Sequence, residues 1–134
     1  MRRISSLEEL AELVDQLGEP SYVRYSAGPE ADERETSTDH ESGLELPGLS
    51  VNPLNPEEWW TRPERDWLAR QLCQYAHLRE EGEGERYAWV LTGQVAGHGP
   101  DCEPLIAGAR PVARIADEAI DEAGRVYSER FDRQ

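Results

Sequence analysis

The segment from Arg86 to Val95 restricts the fold of this 134-residue chain more strongly than any other. In an extended strand its apolar side chains would alternate onto both faces, and one of those faces would carry Tyr87, Trp89 and Leu91. A strand with two apolar faces has to be covered on both sides, which is the situation of a central strand. We therefore predict a central strand at 86–95, with Gly93 at a bulge.

Helices are predicted from apolar periodicity and capping signals. The first follows a capping box at Ser5–Glu9, ends at Gly18, and has apolar residues at helical spacing: Leu7, Leu10, Leu13, Val14 and Leu17. The second begins at a capping box in Thr61–Glu64 and ends near Gly82, and its buried face is marked by Trp67, Leu68, Leu72, Tyr75, Ala76 and Leu78. The third is capped by Asp117, and its apolar stripe consists of Ile120, Ala123, Tyr127 and Phe131.

Shorter apolar or alternating runs predict further strands at 21–26, 44–51, 105–106 and 111–115. Short strands of this kind pair readily as antiparallel neighbours, with the helices segregated beside the sheet. We therefore predict a single α+β domain at 1–134, with a small, mostly antiparallel sheet and about three helices.

Residues 27–43 differ in composition from the segments on either side of them. Gly, Pro, Ser, Thr and acidic residues dominate, and neither a helical nor a strand period is present. Long stretches of this kind are typical of exposed surface loops, and such loops often carry function. We predict a mobile acidic loop over these residues.

The charge balance indicates which classes of partner suit the chain. It contains 28 acidic residues against 14 basic ones, all of them Arg, which gives a formal net charge of −14. Such a surface repels phosphate backbones and anionic lipids, so we predict that it binds neither nucleic acid nor membranes. A basic protein partner is compatible with the charge, although a need for solubility explains it as well.

Two observations bear on the compartment. No apolar run approaches the length of a membrane span, and Met1–Ser5 leads directly into an acidic amphipathic segment rather than an apolar signal region. We therefore expect the protein to be cytoplasmic.

Standard enzyme motifs are missing from the sequence. A phosphate-binding loop that ends in Lys is excluded because the chain has no Lys, and no GxGxxG or GxSxG pattern occurs. The sequence therefore favours a non-catalytic domain without excluding an enzyme, and it identifies neither a cofactor nor an oligomeric state.

Trp59 and Trp60 form the most distinctive candidate binding element. Adjacent Trp residues beside a helix start cannot both face one core, so we expect one of them at the surface. Exposed indole rings are favoured at protein interfaces and ligand pockets, which makes both residues candidates for partner binding. Alternatively, Trp59 packs beneath the acidic loop and Trp60 against the following helix.

Two pairs of metal-ligating residues share the same spacing. Cys73 and His77 are four residues apart on a predicted helix, and His98 and Cys102 are four residues apart in a predicted loop. Two Cys and two His can enclose a tetrahedral zinc ion, so these four residues are a candidate metal site. The spacing matches no familiar zinc-finger pattern, and buried Cys usually acts as a small apolar residue.

A third candidate site consists of Arg24 in Tyr-Val-Arg-Tyr-Ser, Ser50 in Gly-Leu-Ser-Val-Asn and Glu103 in Asp-Cys-Glu-Pro-Leu-Ile. In these residues the chain resembles the ADP-ribosyltransferases of the arginine–serine–glutamate type. The resemblance implies that Arg24 anchors the nicotinamide dinucleotide, that Ser50 lies on a second strand, and that Glu103 is the catalytic carboxylate. It also implies that all three line one cleft.

The chain departs from that family pattern in three places, one of which is the predicted helix at 64–81, where the family usually has strands. Leu49-Ser50-Val51 replaces the Ser-Thr-Ser pattern, and the acid before Glu103 is Asp101 rather than Glu or Gln. A simpler alternative is that Arg24 pairs with surface acids while Glu103 sits in a turn.

Three longer stretches carry a resemblance over most of the chain: residues 22–32, residues 46–54, and residues 99–105. In them the sequence resembles a family of small acidic proteins from GC-rich Gram-positive bacteria to which no activity is assigned. We therefore predict a cytoplasmic, non-catalytic protein-binding or regulatory domain. The alternatives are an NAD-binding domain of the ADP-ribosyltransferase type and a small zinc-binding domain.

Overall fold

The computed structural model describes residues 1–34, 48–73, 75 and 86–129. In chain order the elements are β1 (Arg2–Ile4), α1 (Leu7–Leu17), β2 (Tyr22–Ser26), α2 (Pro29–Arg34), β3 (Leu49–Ser50), β4 (Asn52–Pro53), α3 (Glu64–Leu72), β5 (Tyr87–His98), β6 (Pro104–Ile115) and α4 (Asp117–Tyr127). The prediction of an α+β domain is confirmed.

The strands form one mixed sheet, in the order β1–β6–β5–β2–β4, with β3 also paired to β6. β1 runs parallel to β6, whereas β5 is antiparallel to both β6 and β2. The described residues thus contain six strands and four helices. The prediction was a mostly antiparallel sheet with about three helices; the sheet is instead mixed, because the edge strand β1 runs parallel to β6, and the short helix α2 is a fourth helix.

The prediction of a central strand at 86–95 is confirmed, since β5 lies between β6 and β2. Its register with β6 shifts between Thr92 and Gln94, which places the predicted bulge at Gly93. A Cβ atom at that position would collide with the side chain of Ile106. Glycine is required there because the two strands of the hairpin approach each other closely.

Both faces of β5 are covered, as its apolar pattern predicted. On one face the helices α1, α3 and α4 bury the larger apolar cluster, which includes Leu10, Leu68, Val90 and Ile120. On the opposite face a smaller cluster contains Tyr22, Val51, Trp89, Leu91 and Ile106. The segment Leu49–Pro53 lies beside this second cluster. It pairs with the two strands on either side of β5: β3 pairs with β6, and β4 pairs with β2.

The helix boundaries test the capping predictions. The Ser6 side chain accepts a 3.1 Å hydrogen bond from the Glu9 backbone N–H at the start of α1, and Gly18 ends this helix in the left-handed conformation, as predicted. At α3 the predicted Thr61 cap is wrong, because Pro63 occupies the cap position and no side chain caps the helix. Ala116 rather than Asp117 precedes α4, so Asp117 lies in the first turn.

Residues 104–115 form one strand, whereas the sequence predicted two short strands at 105–106 and 111–115. Pro111 interrupts the apolar pattern, but it pairs opposite Leu91 at a register shift in the ladder. A proline, which has no N–H, is tolerated at such an irregularity. Long-range pairing with β5 therefore keeps the strand continuous.

Several predictions fall partly outside the described residues. Of the predicted loop at 27–43, residues 29–34 form the helix α2 rather than a loop, and 35–43 lie outside the described part. Of the predicted strand at 44–51, only Leu49–Ser50 is a described strand. The predicted end of the second helix near Gly82 and the stripe residue Phe131 also lie outside. None of the described helices is long and apolar enough to cross a bilayer.

Candidate functional site

A cleft of about 560 Å³ opens where β2, the segment Leu49–Pro53 and the tip of the β5–β6 hairpin meet. Its lining consists of Arg24, Tyr25, Ser50, Val51, Asn52, Pro53, Glu57, Tyr75, Asp101, Cys102, Glu103 and Pro104. The three residues suggested by the ADP-ribosyltransferase resemblance, Arg24, Ser50 and Glu103, thus lie in one cleft. A volume of this size is sufficient for a small ligand or for the side chains of a bound peptide.

Arg24 lies on β2 and is held from two sides. Its Nε and Nη2 atoms donate to Asp32 of α2, at 2.8 and 3.3 Å, so the contact is bidentate. Its Nη1 atom donates to the Ser50 backbone carbonyl at 2.8 Å. The two side chains are only 20% and 10% exposed, so the ion pair is largely shielded from solvent. Asp32 therefore balances the charge of Arg24 within the fold.

Asp32 is itself anchored to the core by a hydroxyl group. The Ser26 hydroxyl donates to Asp32 Oδ2 at 2.7 Å and accepts from the buried Trp89 indole N–H at 3.0 Å and from the Gly28 N–H at 3.1 Å. Hydrogen bonds therefore connect the indole of the central strand with the wall of the cleft. A connected and satisfied network of this kind makes the position of Arg24 rigid.

Glu103, just before β6, is held by two hydrogen bonds. Its Oε1 atom accepts from the Ser50 hydroxyl at 3.2 Å, and its Oε2 atom accepts from the Asp101 backbone N–H at 2.9 Å. A Cβ atom at Gly99 would meet this carboxylate, so the Glu103 side chain lies close against the Gly99 backbone. Cys102 adopts a left-handed conformation, with φ of 63°, in the same tight turn. The turn thus holds the Glu103 carboxylate in place.

Aromatic rings form another wall of the cleft. Tyr25 and Tyr75 stack with a centroid separation of 5.3 Å and an interplanar angle of 10°. The Asn52 amide donates to the Tyr75 hydroxyl at 2.9 Å, which ties this ring to β4. The lining therefore combines carboxylates with two stacked aromatic residues, of which Tyr75 is only 5% exposed.

The tryptophan pair lies next to the cleft along the chain, since Glu57 lines the cleft and Trp59 follows two residues later. Trp59 is 62% exposed, so the expectation that one of the pair lies at the surface is confirmed. Its ring meets the rings of Trp60 and Trp67 edge-on, each at 5.9 Å between centroids. The Arg70 guanidinium lies 5.6 Å from the Trp59 centroid. The exposed indole is thus ordered by its neighbours.

The predicted zinc ligands are only partly described. Cys73 follows α3 and donates to the Arg70 carbonyl at 3.4 Å, whereas His98 and Cys102 are exposed at the hairpin tip. His77 lies outside the described residues. Within the described ranges, no group of three or more His, Cys, Asp or Glu residues is arranged to hold a metal ion. The zinc site stays a prediction.

A carboxyl pair lies away from the cleft, between α1 and α3. Burial, the nearby charge of Asp15 and a hydrogen bond to Asp15 raise the pKa of Glu64 above its usual value of 4.5. Glu64 thus lies at a contact between two helices and is not part of the cleft lining.

Sequence reasoning missed three lining or supporting residues: Asp32, Glu57 and Tyr75. Asp32 fell in a segment that was assigned to a loop because its composition has no period. Tyr75 was assigned to the buried face of a helix, and its 5% exposure agrees with that. The proximity of Glu57 to Trp59 was the available signal for a polar rim beside the exposed indole.

Comparison with known proteins identifies a family for the chain but no activity. The chain matches the model of a family of unknown function (DUF6098) over residues 1–134. No match was found among curated proteins or among solved structures.

Proposed function

Because the chain belongs to this family of unknown function, which supplies no activity, we propose from the site alone that it is a cytoplasmic, non-catalytic module that binds another protein. The contact surface of this proposal is the Trp59 surface, defined as Trp59, Trp60 and Arg70 together with the acidic rim residue Glu57.

The observation that carries the proposal is the exposure of Trp59 in an ordered setting. A large ring that is 62% exposed and already packed edge-on against two other rings loses little conformational freedom when a partner covers it. Trp and Arg are also the residue types that most often contribute strongly to binding energy at interfaces. The net charge of −14 favours a partner with a basic contact surface.

The proposal can be tested with immobilised protein and native cell lysate, followed by reconstitution with the purified partner. Trp59→Ala is expected to lower affinity for that partner by roughly tenfold to a hundredfold, as for an interface anchor. Val95→Ala is the matched control, since Val95 is also a large exposed apolar residue, at 48% exposure, but lies on β5. Equal affinity of wild type and Trp59→Ala for every captured protein would contradict the proposal.

A second candidate function is an NAD-binding domain of the ADP-ribosyltransferase type. It is supported by the convergence of Arg24, Ser50 and Glu103 on one cleft, with Tyr25 available to stack on a nicotinamide ring. It ranks second because Asp32 already occupies the guanidinium of Arg24. A dinucleotide phosphate would have to displace that carboxylate and enter a cleft lined by further acids.

Release of nicotinamide from millimolar NAD tests this second candidate. Activity that is lost in Glu103→Gln and retained in Glu118→Gln, an exposed carboxylate on α4, would support it. Absence of both NAD binding and nicotinamide release in the wild type would remove it.

A further inference from the structure

We propose that the cleft receives the guanidinium group of an arginine side chain from an extended, basic segment of the protein partner. This inference rests on the proposed function and names the partner chemistry at the cleft beside the Trp59 surface. It follows from charge, from aromatic surface and from spacing.

The charge of the cleft favours a cation. Among the described residues that line it, Arg24 is the one basic side chain, and its charge is balanced by Asp32 at 2.8 Å. The remaining charged lining residues are the carboxylates of Glu57, Asp101 and Glu103. The cleft therefore presents an excess of negative charge to anything that enters it, and a cationic group compensates that excess.

The carboxylate of Glu103 is already oriented before a ligand binds. The Ser50 hydroxyl and the Asp101 N–H each use one of its acceptor sites. An ionised carboxylate has about four such sites, so further donors can be accommodated. A group held in this way needs no ordering on binding, which reduces the entropic cost of forming a charge-assisted hydrogen bond.

The aromatic wall favours arginine over lysine. Guanidinium is planar, stacks on aromatic rings and donates several hydrogen bonds in one plane, whereas ammonium is a compact and strongly hydrated charge. Both kinds of group are present in the lining, which includes Tyr25, stacked on Tyr75, and the hairpin-tip carboxylates Asp101 and Glu103.

The spacing of the surface suits an extended peptide. Glu57 and Trp59 are two residues apart along the chain, so their Cα atoms are at most about 7 Å apart. In an extended peptide, side chains at positions i and i+2 point to the same side and are separated by a similar distance. One arginine can therefore enter the cleft while an apolar residue two positions away covers Trp59.

The test uses the full chain and four synthetic pentapeptides of the form Gly-X-Gly-Leu-Gly, acetylated and amidated, with arginine, lysine, citrulline or glutamate at X. N-acetylarginine amide serves as a fifth probe. Binding is measured by NMR titration of the backbone amides that line the cleft. The arginine peptide is expected to shift these resonances and to bind roughly tenfold more tightly than the citrulline peptide, because citrulline has the same shape without the charge. The glutamate peptide is expected not to bind.

Charge-neutral variants locate the interaction. Glu57→Gln is expected to weaken the arginine peptide about threefold, as for an exposed ion pair, and Glu103→Gln roughly tenfold. Glu118→Gln, which removes one exposed charge on α4, is expected to leave the affinity unchanged. Glu57 is exposed at the rim, so its variant keeps the test valid even if Glu103→Gln disturbs the turn.

Three outcomes would overturn the inference. Equal binding of the arginine and citrulline peptides would exclude recognition of charge. Equal affinity of N-acetylarginine amide and the peptide, unchanged by Trp59→Ala, would assign the cleft to a small guanidinium compound instead of a protein segment. If no peptide changes the chemical shifts of the cleft amides while Trp59→Ala still loses partner binding, this inference would be overturned and the proposed function would remain intact.

Discussion

The two faces of the sheet are covered in different ways. On the helical face, α1, α3 and α4 bury a continuous apolar cluster in which the core residues are almost fully inaccessible. The opposite face has a small apolar cluster and, next to it, the polar network that links Trp89 through Ser26 and Asp32 to Arg24. This difference indicates that stability comes mainly from the helical face, whereas the polar network on the opposite face fixes the charged wall of the cleft. The aromatic wall, Tyr25 and Tyr75, packs with the helical cluster.

The largest expected effect is on the helical face. Leu10→Ala removes a side chain that is fully buried in the helical cluster, and it should lower the free energy of unfolding by about 3 kcal/mol through lost burial and the remaining cavity. Chemical denaturation measures this. Because Leu10 does not line the cleft, the affinity of a cleft ligand below the melting temperature should be unchanged. A loss of binding in the folded variant would show that the two faces are not separable.

An intermediate effect is expected on the opposite face. Asp32→Asn removes the charge that balances Arg24, whose side chain is 20% exposed, and should lower stability by roughly 1–2 kcal/mol. Glu19→Gln is the matched control, because it breaks the exposed pair with Arg110 and should change stability by less than about 0.5 kcal/mol. Equal effects of the two variants would mean that the network does not hold the cleft.

A smaller effect is expected from the cap of α1. Ser6→Ala removes the acceptor for the Glu9 N–H and should cost about 1 kcal/mol, since that donor then has no side-chain partner. Ser6→Asp, which preserves an acceptor at the cap, should restore most of that stability in the same denaturation measurement. A failure of the aspartate variant to do so would argue against a capping role.

The smallest expected effect concerns pH. The pKa of Glu64 is raised by burial and by Asp15, so the folded state binds this proton more tightly than the unfolded state does. That stabilising contribution is complete below the usual value of 4.5 and is lost as the pH rises through the raised pKa. Glu64→Gln, which cannot ionise at this position, should therefore lose less stability than the wild type as the pH rises. Melting temperatures of both proteins between pH 4 and pH 7 measure the difference, and parallel curves would contradict it.

The sequence predicted best those elements whose determinants are local. The bounds of α1 follow from a cap at Ser6, a helical period and Gly18, all within one segment. The central position of β5 follows from its two apolar faces. By contrast, β6 was divided at Pro111 because its continuity depends on pairing with β5, which no local pattern records.

The site was predicted in part. The ADP-ribosyltransferase resemblance suggested that Arg24, Ser50 and Glu103 share a cleft, and these residues do line one. The sequence did not indicate that Arg24 contacts the Ser50 carbonyl or that Asp32 balances its charge. Such contacts join residues from different elements, and the acidic run around Asp32 offered several equivalent carboxylates as partners.

Site-specific photocrosslinking tests the central claim most directly, namely that the Trp59 surface and the cleft beside it bind a basic protein segment. A photoreactive residue is introduced at exposed Glu58 and, as a control, at exposed Val95, and the crosslinked peptides are identified by mass spectrometry. The account predicts that crosslinks from position 58 contain an arginine and decrease when the arginine pentapeptide is added in excess. Identical peptides from both positions, or crosslinks from position 58 that the pentapeptide does not displace, would contradict it.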